Sequence, residues 1–99
     1  MHKFDVFKIG GDLYLVVQAE HLLGLNTVVL LPVLSADALP ALRQLTIDVR
    51  IEGDLYRIRA HMPLTVDAHR LRHLTPVHRL SQDEGQKVMD GLYAILWGL

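Results

Sequence analysis

The sequence predicts a mainly β protein with one C-terminal helix, an antiparallel barrel-like sheet with that helix laid against it. Three observations carry the prediction. Short apolar runs alternate with polar residues through most of the chain, Gly-Gly and Glu-Gly-Asp sit between pairs of such runs, and the last nineteen residues, Ser81 to Leu99, change to helical spacing.

The first pair of runs surrounds Gly10-Gly11: Phe4, Val6, Phe7 and Ile9 lead in, and Leu13-Tyr14-Leu15-Val16-Val17-Gln18 leads out. Paired glycines supply the positive φ angles of a two-residue hairpin turn. Ala19 to Asn26 shows neither period and reads as an irregular connection with exposed apolar side chains. Thr27 to Leu34 is almost continuously apolar, as suits a central strand buried on both faces, and Pro32 within it should mark a bulge, an end or an edge because it cannot donate to a ladder. Ser35 to Leu42 reads as a turn with at most a short helical piece. Leu45 to Ile51 and Leu55 to Met62 then alternate around Glu52-Gly53-Asp54, a second hairpin whose wet face should hold Arg50, Arg57 and Arg59. In Pro63 to Leu80, Leu64-Thr65-Val66 suggests a short strand and His69 to Leu74 another, ended by Thr75-Pro76.

Ser81 and Glu84 have the spacing of a capping box, which marks a helix start. Val88, Leu92, Ile95 and Leu96 fall on one stripe, and Gln82, Asp83, Gln86, Lys87 and Asp90 take the other side. The helix runs to Trp97, the only tryptophan in the chain. A lone aromatic in a small protein more often tucks against its own domain. The alternative is a rigid apolar face offered to a partner.

The 99 residues form one expected domain, 1–99, large enough for a core without staples. With no cysteine, disulfides and thiolate metal sites are excluded, and the cytoplasm is the default expectation. No apolar run is long enough to cross a bilayer as a helix, and the first residues do not resemble a signal peptide. The net charge of −1 gives no global field for nucleic acid. Arg50, Arg57, Arg59, Arg70, Arg72 and Arg79, with His61, His69, His73 and His78, concentrate in the middle of the chain and read as solvated faces. His69 and His73 are four apart, which serves a metal only in a helix. With Arg70, Arg72 and Pro76 around them and no acidic or thiolate partner at metal spacing, no metal and no cofactor is expected. Asp48, Glu52, Asp54 and Asp67 read as solvated turn acids, and no catalytic motif is present.

Several pieces taken in order resemble the CcdB family of toxins from plasmid and chromosomal toxin–antitoxin modules. Leu15-Val16-Val17-Gln18 is similar to a family segment F-V-D-V-Q, and Leu25-Asn26-Thr27 through Leu30-Leu31-Pro32-Val33 to L-N-T…V-I-P-L. Val49-Arg50-Ile51 fits a hairpin strand, Leu80-Ser81 opens the last helix, and Leu96-Trp97-Gly98-Leu99 stands where the best-known member ends Phe-Trp-Gly-Ile. The resemblance implies a five-stranded antiparallel sheet plus a small three-stranded sheet, an SH3-like arrangement shared with the MazF toxins, assembled as a homodimer. It implies a non-enzymatic poison that binds the A subunit of DNA gyrase and traps the cleaved gyrase–DNA complex, with Trp97, Gly98 and Leu99 as the gyrase-binding residues. It also implies an antitoxin whose disordered segment contacts His21, Leu22, Tyr93 and Leu96. Two isoleucines and an asparagine of the family are His21, Leu22 and Tyr93 here. The competing expectations are a MazF-like endoribonuclease, for which Arg50 with Thr46 or Arg57 with Thr65 are the nominal pairs, and a degenerate member that binds antitoxin without harming gyrase.

Overall fold

A computed structural model describes residues 1–38 and 46–98. Two glycine turns set the architecture. Gly10 and Gly11 take φ of +60° and +95° between β1 (Asp5–Ile9) and β2 (Asp12–Val16). Further along, Glu52 and Gly53 take +54° and +86° between β4 (Thr46–Ile51) and β5 (Asp54–Arg59), across the long central strand β3 (Thr27–Ser35). Positive φ at both central residues gives the turn whose twist matches two paired strands, so both hairpins close where the sequence places them. β5 ends at Arg59 rather than at Met62, because Met62 N–H bonds back to Arg59 O at 3.2 Å and closes a turn.

The described strands pair antiparallel in the order β4-β5-β3-β2-β1-β7, where β7 is His78–Arg79, and β6 (Leu64–Asp67) pairs with the first half of β3. β3 is thus shared by the five-stranded and three-stranded arrays that the family resemblance implies, and hydrogen bonding joins them into one curled sheet. Pro32 sits at the branch. Val29 sends both its N–H and its C=O towards β2, bonding Gln18 Oε1 at 3.1 Å and Val17 N at 3.2 Å. Backbone groups alternate along a strand, so the Pro32 nitrogen faces the other side. That position lies between Thr27–Leu30, paired with β6, and Val33–Ser35, paired with β5, where no ladder donor is required.

Alternation also divides the core. Leu15, Leu31, Val33, Val49 and Ile58 pack on one face with Val6 and Val88, while Phe7, Val16, Val28 and Leu30 pack on the other with Ala68 and Leu71. β3 contributes to both, as its apolar run predicts. The second cluster is roofed by α1 (His69–Arg72), where the sequence pattern suggests a strand. The correction has a simple cause: Ala68 and Leu71, three apart, are both fully buried, a helical and not an extended face. The expected turn over Ser35 to Leu42 begins as a 3₁₀ turn at Ala36–Ala38, and its remainder, with Leu45, lies outside the described residues.

α2 (Gln82–Trp97) covers the first cluster. Its start is the predicted capping box: Glu84 N–H bonds Ser81 Oγ at 3.1 Å and Ser81 N–H bonds Glu84 Oε1 at 2.9 Å, an arrangement worth about 1 kcal/mol. Phe4 fixes the same end. It holds φ at +73°, donating to Val16 O at 2.7 Å and accepting from Leu80 N–H at 3.1 Å, with its ring against Gly85.

Candidate functional site

The base and the tip of α2 differ in kind. Gly85, Val88 and Gly91 are buried, and Leu92 packs against the core. Beyond them the helix leaves its support: Tyr93 is 49% exposed, Ile95 37%, Leu96 69% and Trp97 70%. Of the four residues expected on the packing stripe, Leu96 therefore lies largely in solvent and Ile95 is more than one third exposed. Helical spacing fixes which side chains share a face, not how far the neighbouring sheet reaches beneath that face.

Trp97 is the last helical residue, and Gly98 caps the helix at φ +71°, ψ +29°, its N–H bonded to Ala94 O at 2.9 Å. That left-handed cap costs little for glycine and turns the chain away from the helix axis. An open groove of about 590 Å³ runs between the second half of α2 and the start of β4, with Tyr93, Ala94 and Trp97 on one wall, Thr46 and Ile47 on the other, and Lys87 and Asp90 at the rim. The indole is thus an exposed wall of an apolar groove rather than a plug in its own subunit. Leu99, named with Trp97 and Gly98 from the sequence, lies outside the described residues.

His21 and Leu22 are both exposed, in a 3₁₀ turn over Glu20–Leu22. Gln18 positions this connection by donating through Nε2 to Leu22 O at 2.6 Å and Thr27 O at 3.2 Å, while Arg72 donates to Leu25 O at 2.9 Å from α1. Gln18, which the sequence places at the end of the second apolar run and within a family motif, is thus a structural residue. The N-terminus is tied to the same region: Lys3 N–H and the His2 ring bond the Glu20 carboxylate and hold its pKa below the ordinary value, the backbone hydrogen bond contributing most. Nearby, the fully buried Asp5 accepts from Arg79 Nε at 2.7 Å and from His2 N–H at 2.8 Å, and the hydrogen bond to Asp5 raises the Arg79 pKa.

The residues beside the two expected antitoxin pairs pack in different core clusters. Leu23, beside His21 and Leu22, packs with Phe7 and Leu71, whereas Leu92, beside Tyr93, packs with Val6 and Val88 across the sheet.

Neither nominal Arg/Thr pair assembles. Thr46 and Arg50 lie four residues apart on β4, about 13 Å along a strand. Arg57 and Thr65 stand opposite Leu34 and Val29, an odd number apart on β3, and so face opposite sides of the sheet. Arg57 is also drawn out of the water the sequence assigns it, with Nε on Asp48 Oδ1 at 3.1 Å and Nη1 on Ala36 O at 2.7 Å. A different pair forms: Thr46 stands in register with Arg59, whose Nη2 lies 3.4 Å from His61 Nε2. That juxtaposition crosses the β4–β5 ladder, and no spacing in the sequence marks it.

The family model described as CcdB protein matches residues 3–98. The chain belongs to the CcdB family. It is thereby placed among the toxins of type II toxin–antitoxin systems. No curated protein matches it in sequence at a significant level. Among solved structures, a mycobacterial protein described as an endoribonuclease superposes with a TM-score of 0.82 at 13% identity, covering 100% of this chain and 92% of the other. A mycobacterial endoribonuclease in complex with its cognate antitoxin gives 0.79 at 14%, covering 100% and 96%. MazE–MazF of Deinococcus radiodurans gives 0.78 at 16%, covering 98% and 95%. At such identities the likeness is one of fold. Family and neighbours agree on the curled antiparallel sheet with a C-terminal helix. Among the described residues no helix is long and apolar enough to cross a membrane.

Proposed function

We propose that this CcdB-family chain poisons DNA gyrase: it binds the A subunit through Trp97, Gly98 and Leu99, traps the enzyme with its DNA cleaved, and is neutralised by a cognate antitoxin. The observation that carries this reading is the 70% exposure of Trp97 at the end of a rigidly based helix, with Gly98 in a left-handed cap. An aromatic so placed gives a large contact area at small entropic cost. In a homodimer, two copies meeting across a twofold axis present two indole faces, each able to stack on an arginine guanidinium of the target. The toxin acts in the cytoplasm, needs no cofactor, and breaks no bond itself; gyrase supplies the chemistry.

Dimerisation also reconciles the divided antitoxin site. A disordered antitoxin segment reaches the His21–Leu22 turn of one copy and Tyr93 and Leu96 of the other, whereas within one subunit the neighbours of these pairs, Leu23 and Leu92, pack in different core clusters. The structural neighbour solved with its cognate antitoxin supports an antitoxin partner for this fold.

One observation favours a second reading, an endoribonuclease: Thr46, Arg59 and His61 bring a hydroxyl, a guanidinium and an imidazole to one end of the β4–β5 ladder, on a fold shared with endoribonucleases. The deciding experiment is a gyrase cleavage assay comparing the full chain with a form lacking residues 97–99, beside incubation of the full chain with RNA alone. Cleaved DNA trapped only by the full chain supports the gyrase reading. RNA cut without gyrase, with no trapped DNA, replaces it.

A further inference from the structure

His69 and His73 play no part in either reading, and their geometry points elsewhere. Residues four apart stack on one face of a helix and diverge along a strand, so a shared ligand depends on local conformation. Here the segment is helical: α1 spans His69–Arg72, and His73 closes it in the right-handed region at φ −92°, ψ −7°. Ala68 and Leu71 turn inward to the core, and both histidines are exposed. Their rings meet edge to face with centroids 4.8 Å apart and planes at 90°.

That separation can be compared with what a shared ion requires. With a metal–nitrogen bond of about 2.0–2.1 Å and about 1.1 Å from ring nitrogen to ring centre, two imidazoles on one ion place their centroids roughly 4.5 Å apart at a right angle and roughly 5.2 Å apart at the tetrahedral angle. The observed value falls between the two in separation only: edge to face, the rings do not converge on one point, and binding an ion requires each to turn about χ2. One of the two arginines on the same turn is drawn aside, since Arg72 donates to Leu25 O at 2.9 Å.

We propose that His69 and His73 form an open, two-imidazole site for a divalent first-row transition ion of the zinc, nickel or copper type, the remaining positions being filled by water. Imidazole nitrogen suits these ions and not magnesium or calcium. Among the described residues no third histidine or carboxylate joins the pair, so the site is exchangeable rather than structural. The ion would sit on α1, whose first turn holds the 19–26 connection through Ala68 N–H to Asn26 O at 2.8 Å.

The proposal is independent of what the C-terminal tip binds, and it is tested on the untagged full chain by titrating zinc chloride and following histidine ring protons by NMR. The expected result is that His69 and His73 shift together and saturate at one zinc per chain. His69→Gln and His73→Gln each weaken zinc binding at least about tenfold, because the second imidazole otherwise binds intramolecularly, whereas His61→Gln leaves it unchanged. Amide dispersion in the same samples reports whether each variant is folded. A single-glutamine variant that is folded and keeps wild-type zinc affinity overturns the site, as does zinc that leaves both rings unshifted to millimolar concentration.

Discussion

Truncating Trp97 to alanine separates the two roles a terminal tryptophan can have, because the structure assigns them different energies. With 70% of the residue exposed, about 75 Å² of the roughly 250 Å² a tryptophan offers is covered within the subunit, and about 175 Å² remains for a partner. At about 25 cal/mol per Å², the covered part is worth at most about 2 kcal/mol and the free part about 4 kcal/mol once buried. Trp97→Ala should therefore lower the free energy of unfolding by no more than about 2 kcal/mol, while weakening binding to purified gyrase A subunit by about three orders of magnitude. Urea unfolding followed by far-ultraviolet circular dichroism measures the first quantity and calorimetric titration the second. Sedimentation of wild type and variant shows whether the proposed dimer forms and survives the substitution. A stability loss above about 3 kcal/mol would mean that the indole belongs to its own core. Undiminished gyrase affinity would remove Trp97 from the contact altogether.

Two further predictions concern what holds the helix base and the chain's first residues. Replacing glycine by alanine within a helix usually gains about 1 kcal/mol, but at Gly85 the added methyl would overlap the Phe4 ring, whose Cδ2 and Cζ lie 2.5 and 2.8 Å from its ideal place, so Gly85→Ala should lose about 1–3 kcal/mol; a raised melting temperature in calorimetry contradicts this. Because the folded pKa of Glu20 lies below its ordinary 4.5, the stability it contributes is complete above pH 4.5 and lost as pH falls through the lower folded value. The difference between wild type and Glu20→Gln in urea titrations should accordingly shrink on going from pH 6 to pH 3, and a constant difference refutes the linkage.

The parts of the fold that the sequence made legible are those fixed by neighbours along the chain. Gly10, Gly11 and Gly53 admit the positive φ that their turns require, and Ser81 with Glu84 satisfies first-turn donors within one helical turn. The continuous apolar run of β3 announces burial on both faces whatever its partners are. The α1 segment misleads because His69, Leu71 and His73 also fit strand alternation; only the burial of Ala68, a residue with little apolar signal, distinguishes the helix. The candidate site is half legible for a similar reason. The W-G ending is visible as a motif, but whether Trp97 turns inward depends on where the sheet stops beneath α2, and no local pattern records that distance.

Phe4 carries this point furthest. A bulky residue at φ +73° costs on the order of 1–3 kcal/mol, and nothing in Met1 to Asp5 announces it. The cost is offset by contacts distant in sequence: a hydrogen bond from its N–H to Val16, another from Leu80 N–H to its carbonyl, and a ring seated where Gly85 lacks a side chain. These contacts join β2, the strand before α2 and the first turn of α2 at one point. The helix is anchored at its origin by Phe4, held against the core as far as Leu92, and more exposed over its last turn among the described residues, so the direction in which Trp97 projects is set by the packed part of the helix. A loosened base in Gly85→Ala should thus reduce gyrase binding even though residue 85 touches no partner, whereas Trp97→Ala should reduce it with the base intact. Wild-type gyrase affinity in a folded Gly85→Ala variant would break the link between base and tip.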